Sequence, residues 1–262
     1  MNKIYMTFHT KFSKNIKVVK SEDDNKEKDF KEKLLDLLEK NSNNTMKFIN
    51  EMRFKVDNNK NNTINNNISN KKRILVLHGG GDSSQGIRNQ QGMQDLMNSE
   101  VLDNNIYEFV FIDSPLNGGV WWNDSPSKKE KTTDTEWANT SITFLTDYIE
   151  NNGPFYGILG YSQGAAMAIV LLAYTNIVFE RVLLFNGYLP MTHQGLIDTI
   201  NLNKPYTISP LIFIAENDYG FYNLGLDIKN TYENYTELIS KTAGHALPRK
   251  NDSTFESIIN YI

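Results

Sequence analysis

Ten residues near the middle of the chain point most directly to its fold: Gly157-Ile-Leu-Gly-Tyr-Ser-Gln-Gly-Ala-Ala166. The apolar run Phe155–Leu159 has the length and composition of a buried strand, and the apolar stretch Ala165–Tyr174 is long enough for a helix. Between the two lies a Gly-x-Ser-x-Gly pentapeptide centred on Ser162. The pattern therefore predicts a strand, a tight turn and a helix in immediate succession.

This pentapeptide has the form of a nucleophile elbow, a turn between strand and helix that is too tight for larger residues at its glycines. We expect a Cβ at Gly160 or Gly164 to collide with the neighbouring strand or helix. The serine would adopt a strained backbone conformation and expose its hydroxyl at the helix N-terminus, where free N–H groups favour negative charge. Ser162 is therefore the candidate nucleophile. The alternative is a chance pentapeptide in a buried turn.

A serine nucleophile requires a base, and the base requires an acid that orients it. In folds with this elbow the chain order is serine, acid, histidine. Of the four histidines, only His193 and His245 follow Ser162. His193 comes too soon after the predicted strand Arg181–Phe185 to leave room for an acid on a later strand. His245 is therefore the candidate base, and the alternative for it is a surface loop histidine.

The acid should follow the apolar, β-branched run Pro210–Ala215, which has the pattern of a central parallel strand. Two carboxylates come directly after this run, Glu216 and Asp218. We expect Asp218 to be the acid, because Glu216 is nearly within the strand whereas Asp218 is far enough into the turn to reach across the sheet edge. The other role open to Asp218 is the N-cap of a helix within Tyr219–Tyr232.

Two backbone amides are candidates for an oxyanion hole, the set of N–H donors that binds developing negative charge. The predicted strand Arg73–Leu77 is followed by His78-Gly-Gly-Gly-Asp82. We expect the N–H of Gly80 to act together with the N–H of Gln163, the residue after the candidate nucleophile. A phosphate-binding loop is the weaker interpretation, because neither of the usual glycine-rich phosphate motifs is present in frame. His78 is expected to support the loop.

With these residues identified, the chain resembles the FSH-type serine hydrolases, a branch of the α/β-hydrolase superfamily. The resemblance covers residues 73–262. The matching stretches are Ile74-Leu-Val-Leu-His-Gly79, Phe111-Ile-Asp-Ser-Pro115, Val120-Trp-Trp122, Asn152-Gly-Pro-Phe-Tyr-Gly-Ile-Leu-Gly-Tyr-Ser-Gln-Gly-Ala165, Phe185-Asn-Gly-Tyr188, Glu216-Asn-Asp218 and Ala243-Gly-His245. The chain departs from the family pattern at Gly80, where a bulky residue is usual, and at Tyr219-Gly-Phe221 after the acid.

The resemblance implies an enzyme that cleaves carboxylic esters or thioesters of small to medium acyl chains through an acyl-enzyme, with no cofactor. It places Ser162, Asp218 and His245 at the nucleophile, acid and base positions. An acyl-protein thioesterase or lysophospholipase-like carboxylesterase is the nearest enzymatic alternative, because such enzymes share the Gly-Tyr-Ser-Gln-Gly type of elbow. The alternative from another class is a catalytically silent hydrolase-fold module that binds a ligand or a partner.

Aromatic residues that follow several predicted strands are candidates for substrate binding. Trp121 and Trp122 lie in a long segment, 116–135, that we expect to form a partial lid, and Tyr188 and Phe221 follow later strands. We expect these four side chains to line an acyl pocket. The alternative for the tryptophans is that they anchor a loop on the core.

Composition excludes several other classes of protein. The formal net charge of −4 gives no basis for binding nucleic acid, and the absence of cysteine excludes disulfides and thiol catalysis. No apolar run approaches the length of a transmembrane helix, and no metal-binding motif such as His-Glu-x-x-His is present. Because Met1–Lys20 lacks the apolar centre of a signal peptide, we expect a cytoplasmic protein.

Three parts are predicted along the chain. Residues 57–70 form an Asn-rich linker, in which asparagine fills eight of fourteen positions. Residues 1–56 are expected to form a small helical extension, with an amphipathic helix over about 26–41 and a second short helix around 45–54. Residues 71–262 form an α/β-hydrolase domain, with a mostly parallel central sheet and helices on both faces. Strands are expected at 73–77, 107–112, 156–160, 181–185, 210–215 and 236–239, and helices at 136–151, 163–175 and 253–262.

This division makes the first testable prediction. A truncated chain beginning near Lys71 should fold and keep the ester hydrolysis of the full chain, because every candidate site residue follows that point. Its stability should fall by a few kcal/mol, since each fully buried leucine contributes roughly 1.5–3 kcal/mol and the helix over 26–41 must bury its leucines somewhere. Turnover and thermal melting of both chains measure this. A folded but inactive 71–262 chain would refute the division.

Overall fold

The structure is a computed structural model, and it describes residues 71–123, 131, 136–204 and 206–262. All of these residues belong to the unit Asn70–Ile262. The predicted extension 1–56, the predicted linker 57–70 and most of the predicted lid lie outside the described residues.

A six-stranded sheet forms the centre of this unit, and all of its strand pairs are parallel. The order across the sheet is β2-β1-β3-β4-β5-β6. The strands are β1 Lys72–Leu77, β2 Tyr107–Ile112, β3 Gly157–Tyr161, β4 Arg181–Phe185, β5 Leu211–Ala215 and β6 Thr236–Ser240. Every predicted strand is confirmed to within one residue at each end.

Seven α-helices are found among the described residues: α1 Ser84–Asn89, α2 Gln91–Met97, α3 Asn139–Asn152, α4 Gln163–Tyr174, α5 Gln194–Asn203, α6 Tyr222–Leu226 and α7 Phe255–Tyr261. Short 3-10 turns occupy Glu136–Ala138 and Ile228–Thr231. The three predicted helices correspond to α3 with its preceding turn, α4 and α7. The sequence did not predict α1, α2 or α5. The first of these buries only Ile87, so its apolar periodicity is too weak to stand out.

Helices cover both faces of the sheet, as predicted. Alternate residues of β1 to β5 point into two separate cores; in β1, Leu75 and Leu77 lie in one and Ile74 and Val76 in the other. The first core packs against α3, α4 and α5, and the second against α1, α2 and α7. Strands buried on both faces contain continuous apolar runs, which is why their sequences are easily recognised. Among the described residues, no helix combines the length and the apolar character needed to cross a bilayer.

The backbone is packed very closely at the turn between β3 and α4, which carries Ser162. A Cβ on Gly160 would lie 2.4 Å from the carbonyl oxygen of Gly164, and one on Gly164 would lie 2.4 Å from the carbonyl oxygen of Leu77. Both distances are far below van der Waals contact, and the obstructing atoms belong to the backbone. The collision expected from the sequence is thereby confirmed, and the second residue of α4, Gly164, occupies a position where nothing larger than glycine fits.

A substitution tests this close packing. Gly164→Ala should lower the free energy of unfolding by about 3 kcal/mol, at the upper end of the usual cost of overpacking, because the Leu77 carbonyl cannot move without shifting β1. Gly220→Ala is the matched control: a Cβ there meets nothing within 4 Å, and its effect should stay within about 0.5 kcal/mol. Urea unfolding of both variants measures the difference. Equal stabilities would contradict the steric argument.

Candidate active site

Ser162 sits at the apex of the turn in a backbone conformation that non-glycine residues rarely adopt, with φ 54° and ψ −119°. Such a conformation costs on the order of 1–3 kcal/mol and persists only when its surroundings enforce it. Here the Ser162 N–H donates to the carbonyl of Phe185 in β4 (2.9 Å), and the Ser162 carbonyl accepts from Ala165 and Ala166 in α4. The side chain is held at the carboxyl edge of the sheet, and 8% of the residue is exposed.

A continuous hydrogen-bonded chain links Ser162 to two residues distant in sequence. The Nε2 atom of His245 lies 2.9 Å from Ser162 Oγ, and its Nδ1 atom lies 2.6 Å from Asp218 Oδ2. An ionised carboxylate can only accept a hydrogen bond, so Nδ1 carries the proton and donates to it. Nε2 is then left as the acceptor for the serine hydroxyl. This is the geometry in which an imidazole can remove the serine proton.

The structure brings Asp218, and not Glu216, to the histidine. The buried Asp218 lies three residues beyond β5, and its N–H donates to the carbonyl of Ala215. Glu216 is exposed and its N–H donates to Ser240, which extends the pairing of β5 with β6. The N-cap role open to Asp218 is not observed, because α6 begins after Phe221 and has no side-chain cap.

The two amides predicted for the oxyanion hole are neighbours. A Cβ on Gly80 would lie 3.0 Å from Oε1 and 3.3 Å from Cβ of Gln163, so the loop after β1 passes directly over the start of α4. Within the described part of the chain, no group accepts a hydrogen bond from the N–H of Gly80 or of Gln163, whereas the next amide, that of Gly81, donates to Gly119. Both N–H groups therefore remain candidates for the predicted oxyanion hole.

The side chain of Gln163 has a structural role that the sequence did not indicate. Its Oε1 accepts from the N–H of Trp121 (2.9 Å), and its Nε2 donates to the carbonyl of Trp122 (3.1 Å). The Trp121 indole N–H donates to the carbonyl of His78 (2.8 Å). Both indoles are fully buried, so neither offers a surface to a substrate in this conformation. Their burial favours the alternative that the tryptophans anchor the loop on the core.

Two buried histidines hold loops around the site. His78 Nε2 accepts from the N–H of Ser114 (3.0 Å), so the ring proton is on Nδ1, which lies 2.7 Å from the carbonyl of Gly79. His78 thus joins the ends of β1 and β2 and supports the loop, as expected. His193 Nε2 lies 3.1 Å from the carbonyl of Asn123, at the end of the described lid segment. In this structure it is a buried loop contact, consistent with its rejection as the base.

The other two aromatic candidates lie next to the site. The Phe221 ring stacks on the His245 imidazole, with 4.2 Å between centroids and 24° between planes. The Tyr188 ring lies 5.8 Å from that of Phe221. Both residues are partly buried, so they keep some accessible surface beside the imidazole.

Three polar side chains that the sequence analysis missed hold the loop of His245: Tyr161, Asn186 and Asn217. Each stands at, or within two residues of, the carboxyl end of a strand. That position is the signal by which they could have been found, because side chains at this edge surround the site. Burial raises the pKa of Tyr161 to about 12, so its hydroxyl stays protonated and can donate at neutral pH.

The carboxylate of Asp113 supports a loop near the site and is not a member of the hydrogen-bonded chain of Ser162, His245 and Asp218. Asp113 follows β2, and its Oδ1 accepts from the N–H of Ser84 (2.7 Å) at the start of α1. This hydrogen bond lowers the pKa of the Asp113 carboxyl, because it stabilises the charged form.

Comparison with known proteins identifies the family to which this sequence is similar. Residues 117–256 match the family described as Serine hydrolase (FSH1); this segment is 140 of the 262 residues, just over half of the chain. It contains Ser162, Asp218 and His245, and it begins after Gly80.

Several curated proteins are similar in sequence. The chain is 30% identical to Esterase C25G4.2 of Caenorhabditis elegans in an alignment 144 positions long, which covers 47% of this chain and 63% of that protein. It is 27% identical to Esterase FUS5 of Gibberella fujikuroi in an alignment 205 positions long, which covers 70% of this chain and 82% of that protein.

Solved structures show the same fold at low identity. Arabidopsis thaliana SOBER1 superposes with a TM-score of 0.52 at 18% identity, over 73% of this chain and 97% of that one. A carboxylesterase from Mesorhizobium loti superposes with a TM-score of 0.51 at 16% identity, over 72% of this chain and 87% of that one. The architecture is that of the α/β hydrolases, and the chain belongs to the FSH1 family of serine hydrolases.

Proposed function

We propose that this protein is a serine esterase that cleaves carboxylic esters or thioesters of small to medium acyl chains. The observation that carries the proposal is the unbroken chain of hydrogen bonds from Ser162 Oγ through the imidazole of His245 to Asp218. Two relatives, from Caenorhabditis elegans and Gibberella fujikuroi, are also named esterases. No step requires a cofactor.

In the first half of the reaction, Ser162 Oγ attacks the carbonyl carbon of the ester while its proton passes to His245 Nε2. Asp218 accepts from Nδ1–H throughout and stabilises the imidazolium that forms. The carbonyl oxygen becomes an oxyanion, for which the N–H groups of Gly80 and Gln163 are the proposed donors. The tetrahedral intermediate collapses, the bond to the alcohol or thiol breaks, and the leaving group takes the proton from Nε2. The product is an acyl ester of Ser162.

The second half repeats these steps with water as the nucleophile. Water gives its proton to His245 Nε2 as its oxygen bonds to the acyl carbon. The same amides bind the new oxyanion. Collapse breaks the bond to Ser162 Oγ, which recovers the proton from Nε2, and the carboxylic acid leaves.

The substrate passes beside an aromatic surface. Since the leaving group is protonated at His245 Nε2, it must approach the imidazole whose face Phe221 covers. Phe221 and its neighbour Tyr188 are therefore the proposed substrate-binding residues, and an apolar group next to the scissile bond would gain contact area there. Activity on p-nitrophenyl esters of increasing chain length identifies the preferred acyl group.

The cytoplasmic location expected from the sequence stays a prediction.

Removal of the serine hydroxyl separates an enzyme from a silent binding module. Ser162→Ala should lower kcat for ester hydrolysis by roughly a millionfold, as expected for loss of a nucleophile, and should abolish labelling by a fluorophosphonate probe. The fold should stay intact, because the change removes one atom at the sheet edge; circular dichroism and thermal melting check this. Wild-type turnover by this variant would rule out Ser162 as the nucleophile. Absence of labelling in the natural chain would favour the silent module.

The acid can be assigned by a matched pair of variants. Asp218→Asn should lower kcat on the order of 10,000-fold, because the amide no longer stabilises the imidazolium or the required tautomer. Glu216→Gln is the control: it removes a carboxylate two residues away that is exposed and lies outside the hydrogen-bonded chain, so kcat should stay within about twofold. Steady-state kinetics on one ester measures both. The opposite ranking would transfer the acid role to Glu216.

A further inference from the structure

The backbone around His245 is irregular, so its polar groups cannot be paired within a helix or a strand. Residues 241–254 lie between β6 and α7, and Gly244 has φ +62°. Three consecutive carbonyls of this loop accept hydrogen bonds from side chains of other strands. Asn186 Nδ2 donates to Gly244 (3.2 Å) and to Ala246 (2.9 Å), and the Tyr161 hydroxyl donates to His245 (2.6 Å).

Asn186 is suited to this double contact in two ways. Its amide nitrogen carries two N–H groups, one for each of the carbonyls on either side of His245. Its backbone has φ 46°, in the left-handed region that asparagine tolerates better than most residues, and its N–H donates to Phe213 in β5. The residue is 2% exposed, so solvent cannot replace either bond.

The side-chain oxygen of Asn186 indicates that a contribution to fold stability alone does not explain why asparagine occupies this position. Asn186 Oδ1 is buried and, within the described part of the chain, has no hydrogen-bond partner. Leaving such an acceptor unpaired destabilises a fold by about 1–3 kcal/mol. The arrangement therefore satisfies the carbonyls beside His245 while leaving its own oxygen unsatisfied.

We infer that Asn186, together with Tyr161, is a positioning residue that fixes the backbone of His245 so that the imidazole stays between Ser162 and Asp218. The inference rests on the proposed function of His245 as the base. Asp218 holds only the Nδ1 side of the ring, and ring position also depends on the main chain that carries it. A displacement of about 1 Å in such a group can lower the rate on the order of 100-fold.

Two substitutions remove the Asn186 contacts while keeping its backbone conformation accessible. Asn186→Asp keeps the size and replaces the two donors with an oxygen that only accepts, facing two carbonyl oxygens. Asn186→Gly removes the side chain at a φ that glycine adopts freely. Both should lower kcat about 10- to 100-fold and change KM less than about threefold, because the reacting geometry is altered and the substrate surface is not. The rate of fluorophosphonate labelling at Ser162 should fall in parallel.

Asn203→Asp is the matched control. Asn203 Nδ2 also donates to two carbonyls, those of Ala173 (3.1 Å) and Thr199 (3.2 Å), at the end of α5. The substitution removes the same number of hydrogen bonds as Asn186→Asp but leaves the His245 loop unchanged, so kcat should stay at the wild-type value. Thermal melting of all variants separates a loss of stability from a loss of positioning.

The results distinguish a failure of the positioning inference from a failure of the proposed function. Folded Asn186 variants with wild-type kcat, or with a loss confined to KM, would overturn the inference. If neither Asn186 variant folds, Tyr161→Phe carries the test: it removes only the hydroxyl that donates to His245, and several-fold lower kcat at unchanged KM is expected, whereas wild-type kcat overturns the inference. Ser162→Ala, measured alongside, tests the function itself. If Ser162→Ala stays active, the proposed function fails; if it is inactive while the Asn186 variants keep wild-type kcat, only the positioning inference fails.

Discussion

The contact between the elbow and β1 is the constraint on which the rest of the site depends. Gly164 approaches the Leu77 carbonyl so closely that a single Cβ would stand 2.4 Å from it. This approach lets α4 start directly at the sheet edge, and it forces Ser162 into a left-handed conformation that α4 and β4 hold by hydrogen bonds. Backbone packing thus fixes the point from which the Ser162 side chain projects, and His245 then contacts its hydroxyl. As the proposed nucleophile, a serine held in this way would lose little entropy on reaching its reactive geometry.

The parallel sheet brings the other groups to the same place. In a wholly parallel sheet every strand delivers its carboxyl end to one edge, so residues far apart in sequence meet there. Asp218 follows β5 and His245 follows β6, at the opposite side of β4 from Ser162. Because the loops at this edge have no regular structure, buried side chains satisfy their backbone groups. His78, Gln163 and Asn186 each hold a loop in this way.

The candidate site is therefore surrounded by loops that buried hydrogen bonds hold in place. Low exposure makes each of these bonds stronger than it would be in water, and it makes a missing partner costly. Among the described residues nothing accepts a hydrogen bond from the N–H of Gly80 or of Gln163, which suits the oxyanion hole proposed for them, because donors that are already oriented need no rearrangement when an oxyanion forms. In the proposed reaction, the Phe221 ring stacked on the imidazole provides an apolar surface where the leaving group would approach.

The sequence by itself determined the strands, the elbow and the order of Ser162, Asp218 and His245, because these depend on local patterns: continuous apolar runs, paired glycines and polar residues just after strands. It did not reveal that Trp121 is buried, since a loop tryptophan has the same local pattern whether it lines a pocket or anchors a turn. The contacts of Gln163 and Asn186 were equally hidden. They join segments at least 41 residues apart, and no local periodicity records a long-range hydrogen bond. Only the tertiary structure decided them, because packing chooses which buried carbonyl each amide reaches.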